Sequence, residues 1–215
     1  RYLKKQQLFY QLWYRFKFYL VSVDNYKKYL NEKLFSYEIK TADLVFTNKK
    51  LLDSNLKFNF IGKSFSFGNK VDWNFKEYGK LWNYNLQYLN YINDESIELE
   101  TRCKLIKDLS IAIVSKKVIL ESYPVSLRII NLFLFHQKHH IKDKLVIKSL
   151  LLQINFLENN LEYHLLGNHL LENIFSLFIA GHFLKNKALI KKSTNLILKE
   201  LDEQILNDGA HYECS

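Results

Sequence analysis

The sequence predicts a mainly α-helical chain carrying one small β-hairpin, and three observations predict it. From Ser96 onward, apolar residues recur at helical spacing in stretches separated by short connectors. Between Leu56 and Asn69 the pattern instead alternates apolar with polar, as a strand pair does. The third observation is the stretch from Gly167 to Gly181, an amphipathic helix whose polar side holds an amide, an imidazole and a carboxylate close together.

Taken in order, residues 2–20 carry Leu3, Leu8, Leu12, Phe16 and Tyr19 at roughly helical spacing among Lys and Gln, which predicts a first helix. A basic aromatic helix suits a membrane surface or nucleic acid. Core packing with snorkelling lysine stems explains the pattern as well and is the expectation adopted. In the alternating stretch, Gly62-Lys63-Ser64 stands between the two arms and reads as their turn. A phosphate loop would need an upstream glycine that is absent.

From Trp73 to Tyr91 the chain is rich in aromatics and amides, including Trp82, Tyr84, Tyr88, Asn83 and Asn85. Such residues suit stacked sugar rings and the edge of a core equally, and the core is the commoner outcome. Helices are then expected at about residues 96–114, 124–137, 142–161, 168–184 and 187–206, forming antiparallel pairs. Pro124, the single proline, is placed at a first helical position. The organisation expected is an N-terminal helical segment over 1–55, a short extended segment over 56–72, and helix pairs over 73–215.

With 215 residues, 48% hydrophobic and 25% charged, the chain can bury a sizeable core. Its net charge of +9 favours an anionic partner without choosing between nucleic acid, acidic glycan and membrane surface. Cys103 and Cys214 stand far apart, which suggests neither a disulfide framework nor a zinc site, and no metal or other cofactor is expected. No apolar run reaches about 18 residues, which argues against a membrane-spanning helix. Starting at Arg1 and lacking any Met, the sequence is expected to be a fragment of a longer protein.

The polar side of the 167–181 helix is the candidate site. Leu170, Leu171, Ile174, Leu177, Phe178 and Gly181 project onto one arc, and Asn168, His169, Glu172, Asn173 and Ser176 onto the other. That polar face lasts about two turns before the helix becomes apolar all round, which a merely solvated face would not do. Alone, Asn168 reads equally as a helix N-cap, and His169 as a structural histidine. His139 and His140 read as cationic residues favoured at a helix C-terminus. His164 and His211 read as structural, and Asp208-Gly209 as a turn.

Three separated stretches carry a family resemblance. They are Asp72-Trp73-Asn74 with Lys80-Leu81-Trp82-Asn83-Tyr84-Asn85-Leu86-Gln87-Tyr88, then Tyr123-Pro124-Val125-Ser126-Leu127-Arg128-Ile129-Ile130-Asn131, and finally Glu162-Tyr163-His164-Leu165-Leu166-Gly167-Asn168-His169-Leu170-Leu171-Glu172-Asn173. A closing segment runs from Glu203 to Glu213. In order and spacing these resemble the N-terminal helical domain of the heparinase II/III-like polysaccharide lyases, which include alginate and heparan lyases.

The resemblance implies an incomplete α/α toroid followed by a mainly β domain beyond this sequence. It also implies β-elimination on a uronic-acid-containing polysaccharide, a glycosaminoglycan or alginate, in the periplasm or outside the cell. Asn168 and His169 match the pair that faces the uronate, with Glu172 one turn on to orient or charge His169 or to meet substrate. Arg128 is implied as a contact to the acidic sugar, within a positive cleft. The family's catalytic tyrosine and a further histidine would lie beyond Ser215. Two rival expectations stand beside this one: a non-catalytic acidic-glycan-binding protein of surface-polysaccharide assembly, and a basic nucleic-acid-binding helical module. No recognised nucleic-acid signature supports the second.

Overall fold

The computed structural model describes residues 5–17, 52–53 and 56–210. Within them the chain is mainly helical, with one small antiparallel sheet. Helix α1 is Lys5–Lys17; the strands are β1 (Leu52–Asp53), β2 (Lys57–Phe60) and β3 (Lys63–Ser66). There follow α2 (Lys80–Tyr88), a 3₁₀ turn (Asn90–Asn93), α3 (Leu99–Val114), α4 (Ser122–His139), α5 (Lys144–Asn159), α6 (Gly167–Phe183) and α7 (Lys187–Gln204). No helix of the described residues is long and apolar enough to cross a membrane.

The sheet has the order β1-β2-β3, with Phe58 opposite Phe65 and Phe60 opposite Lys63. Its turn is Ile61-Gly62, one position earlier than expected, so Lys63 and Ser64 belong to β3. Both turn residues have positive φ, 45° and 76°, which matches the twist of a two-residue hairpin. Strand alternation sends Phe58 and Phe60 inward. They meet Tyr91 and Trp82 at ring distances of 5.2 and 5.1 Å, so the hairpin closes one end of the helical core. Trp82 is fully buried and its indole N–H donates to the Lys63 carbonyl at 3.0 Å, making it core and not a sugar platform.

Helix starts follow local chemistry. Asp143 caps α5 by accepting from the Leu145 and Val146 N–H groups, and Asn186 caps α7 by accepting from Leu189. Helix α4 begins two residues before Pro124, which falls in the first turn, where its missing N–H has no intrahelical acceptor to lose. Helices α3 and α6 end in six-to-one bonds, Lys117 N–H to the Ala112 carbonyl and Asn186 N–H to the Gly181 carbonyl. The left-handed residue in each of those two caps is a lysine, Lys116 at φ 58° and Lys185 at φ 51°.

Each central helix packs on the helix two positions along the chain: α2 on α4, α4 on α6, and α3 on α5. Short connectors also bring α4 against α5 and α6 against α7, making antiparallel pairs. Phe133 of α4 and Phe183 of α6 stack at 4.2 Å with their planes 7° apart. Leu86 of α2, Ile129 of α4, Ile154 of α5, and Leu170 and Ile174 of α6 are fully buried in the shared core, each contributing up to about 1.5–3 kcal/mol.

Helix α1 departs from expectation in which face it buries. Leu8 and Leu12, expected in the core, are exposed together with Phe9 and Trp13. The inward face is instead polar and aromatic. Gln7 Nε2 donates to the Leu165 carbonyl at 3.3 Å, Tyr10 stacks on Tyr163 at 4.7 Å, and the Tyr14 hydroxyl donates to the Leu161 carbonyl. Three side chains thus hold α1 against the connector between α5 and α6.

Candidate functional site

The start of α6 is backbone under strain. Leu166 has φ 61° and ψ −157°, a region that side-chain-bearing residues rarely occupy, and Gly167 follows at φ 58°. Leu166 is itself buried, so the conformation is enforced from several sides. Strain of about 1–3 kcal/mol persists only where the surroundings over-determine it, and such positions cluster at functional sites. Here it sets where Asn168 and His169 emerge.

Asn168 is exposed, the second residue of α6, and makes no capping bond. The N-cap reading of Asn168 therefore does not hold. His169 is half-buried. Its ring lies against Tyr123 of α4 with centroids 4.4 Å apart, and its Nδ1 is buried 3.6 Å from Glu162 Oε1. The carboxylate facing His169 is Glu162, ten residues further back than the Glu172 expected to orient it. Glu172 is part-buried, and burial pushes its carboxyl above the usual range.

The polar residues of α6 part company. Asn173 and Ser176, expected on the site face, are fully buried. The Asn173 amide brackets the α5–α6 connector: its Oδ1 accepts the Glu162 backbone N–H at 2.9 Å, and its Nδ2 donates to Glu162 Oε2 at 3.0 Å. The same Nδ2 donates to Ser126 Oγ of α4 at 3.0 Å. A buried amide with these contacts is the device that aims Glu162.

Arg128 lies inside the core and not on the site. It is fully buried, its Nε donating to Gln153 Oε1 at 2.5 Å and its Nη1 to the Gln87 carbonyl at 3.1 Å. Burial pulls the guanidinium down to about 9, still above neutral pH, so the charge persists. Its place on the inward face of α4, between α2 and α5, removes it from any polymer. The expectation of Arg128 as a sugar contact is corrected on that ground.

A row of half-buried tyrosines leads to His169. Tyr84 and Tyr88 of α2 are 6.4 Å apart, and Tyr88 and Tyr123 of α4 are 6.1 Å apart, so two neighbouring helices supply the row that ends at His169 of α6. At its far end Tyr84 donates to Glu121 Oε2 at 2.5 Å, and Lys80 Nζ lies 2.6 Å from the same oxygen. Burial, helped by Glu121, raises the Tyr84 phenol to about 12; burial also raises Tyr88 and Tyr123, the latter with help from Glu172 and Glu162. These phenols are therefore proton donors at neutral pH.

The described groups near His169 include the Glu162 carboxylate, the Tyr123 phenol and the His164 imidazole, and Lys80, at the far end of the tyrosine row, is paired with Glu121. His139 also differs from expectation. It does end α4, but burial and then Arg102 lower its pKa, which disfavours the cation expected there. Asp208-Gly209 is a turn as expected, Asp208 Oδ1 accepting from the Ala210 N–H at 2.9 Å. His164 sits part-buried beneath Tyr14. His211, Tyr212, Glu213 and Cys214 lie outside the described residues.

Glu162 and Tyr123 are the contributors that residue-by-residue reasoning left without a role. Both stand inside the quoted stretches, at the head of the third and of the second. Their meeting with His169 depends on α4 and the α5–α6 connector converging, which no helical projection reports. No known protein family, characterised protein or solved structure matches this chain.

Proposed function

We propose that this chain is the helical part of a polysaccharide lyase that cleaves a uronic-acid-containing polymer by β-elimination. The observation that carries the reading is the convergence of Asn168, His169 and Glu172 with Tyr123 and Glu162 at the strained start of α6. Packing of each central helix on its next-but-one neighbour supports two rows of an incomplete α/α toroid, with the tyrosines on α2 and α4 and His169 on α6 in one of them.

The chemistry sets three demands. The C5 proton beside a carboxylate is a very weak acid, so the carboxylate must be neutralised, a base supplied, and the leaving glycosidic oxygen protonated. In this reading the Asn168 amide donates to the uronate. Glu172, its carboxyl pushed up by burial, lies one turn further along α6 and meets the substrate beside Asn168. Neutralisation therefore comes from the Asn168 donor, not from Arg128. His169 assists at the uronate or in proton transfer. The tyrosine row forms the wall along which sugar rings lie. The remaining acid–base group belongs to the β domain and tyrosine that the family resemblance implies.

The test uses the whole protein mixed with alginate, heparan, chondroitin and hyaluronan, followed by ultraviolet absorbance of the unsaturated uronate. A rise with one polymer, lost in folded Asn168→Ala and His169→Ala variants, is the expected result. Binding of an acidic glycan without any rise would make the protein a non-catalytic binder. Steeply salt-dependent binding to DNA or RNA, with none to uronic polymers, would overturn the reading in favour of a nucleic-acid module.

A further inference from the structure

The geometry points to Glu162 as the positioning residue that fixes the tautomer and tilt of His169, so that Nε2 is the atom presented to substrate. The inference rests on the reading of α6 as a lyase site for the substrate, but its structural core does not.

Each donor and acceptor of Glu162 is accounted for except one. Its backbone N–H goes to Asn173 Oδ1, and its Oε2 accepts from Asn173 Nδ2. Oε1 is left, and it lies 3.6 Å from His169 Nδ1, which is buried and has no hydrogen-bond partner among the described residues. The Glu162 side chain is 13% exposed and that of His169 36%. Because Nδ1 is buried, the accessible part of the imidazole is the rest of the ring. An N–H at Nδ1 is attracted to the Oε1 charge, whereas a lone pair there is repelled by it, so the carboxylate selects the Nδ1–H form.

The support around the pair is rigid. Tyr123 lies against one face of the imidazole with an interplanar angle of 38° and limits its tilt. Asn173, fully buried, is anchored to Ser126 Oγ, which in turn donates to the Ser122 carbonyl at 2.9 Å. From the other side, Gln7 and Tyr14 of α1 hold the connector that carries Glu162. Two elements distant in sequence therefore aim one oxygen at one nitrogen. A ring held in this way leaves the Nε2 lone pair free to accept or relay a proton.

The experiment labels histidine with ¹⁵N in the whole protein and reads the His169 ring nitrogens at mildly alkaline pH, with His169→Asn identifying the signals. The wild type is expected to show a pyrrole-type Nδ1 and a pyridine-type Nε2. In Glu162→Ala, with fold checked by circular dichroism, the two nitrogens are expected to exchange those shift types in part. A pyridine-type Nδ1 in the wild type overturns the inference outright, whether or not the variant folds. Identical ring shifts in wild type and folded variant overturn it too. Where a uronic polymer is cleaved, Glu162→Ala is expected to lower kcat about 10- to 100-fold with KM changed less than about twofold. Absence of cleavage by the wild type counts against the lyase reading alone, since the ring shifts do not depend on turnover.

Discussion

Glu172 offers a way to test burial at the site without any substrate. Desolvation raises its carboxyl pKa in the folded chain. The folded protein therefore keeps that proton at pH values where the unfolded chain has released it. Stability contributed by the protonated form is present in acid and is lost as pH rises from the ordinary carboxylate value to the raised one. In Glu172→Gln this loss is removed. Urea midpoints of variant and wild type, measured from acidic to neutral pH, should show the variant gaining on the wild type as pH rises; a constant gap would mean that Glu172 is not desolvated. Neighbouring Asn173 and Ser176 teach a different lesson at the same scale. Helical projection placed both on the polar arc with Asn168 and His169, yet both are fully buried. A polar face tells that a side chain needs partners, not whether those partners are water or protein.

At the scale of elements, the α6–α7 pair is set by Gly181. A Cβ built there would lie 2.9 Å from Ile190 Cγ1 and 3.1 Å from the Ile190 backbone nitrogen. Helix propensity favours alanine over glycine by about 1 kcal/mol, and overpacking costs about 1–3 kcal/mol. Since one of the two close atoms is backbone, which yields less readily than a side chain, Gly181→Ala is expected to lower stability by about 1 kcal/mol net. Adding Ile190→Ala should recover only the Cγ1 share. A chemical-denaturation double-mutant cycle reads both, and full recovery would show that the backbone contact does not limit the approach. Elements were largely legible in the sequence: the five helices after Ser96 and the hairpin stand within a few residues of their expected positions. Helix α1 was legible as a helix but not in its facing. Its apolar stripe is what periodicity detects, whereas Gln7, Tyr10 and Tyr14 dock through hydrogen bonds and ring contacts that periodicity cannot weigh. For the same reason Arg128 was legible as part of a motif and illegible as core.

Across the whole molecule, Arg128 ties three helices together. Gln87 of α2 and Gln153 of α5 both accept from it, and Nη2 has no partner among the described residues. Removing the guanidinium alone leaves buried acceptors unpaired at about 1–3 kcal/mol each. Arg128→Met is therefore expected to cost about 2–4 kcal/mol, and Arg128→Met with Gln153→Leu less than the sum of the two single changes. Strict additivity in the urea midpoints would count against a shared network. The two lysine caps have a consequence of another kind. A chain with only 6 glycines in 215 residues places Lys116 and Lys185, both exposed, in the backbone conformation that glycine tolerates best. Relief of left-handed strain outweighs the added freedom of the unfolded chain, so Lys116→Gly and Lys185→Gly are each expected to raise stability by about 0.5 kcal/mol, read as a higher Tm. For anyone wishing to engineer a hardier version of this protein, the place to begin is two helix ends on the surface, leaving the packed interior untouched.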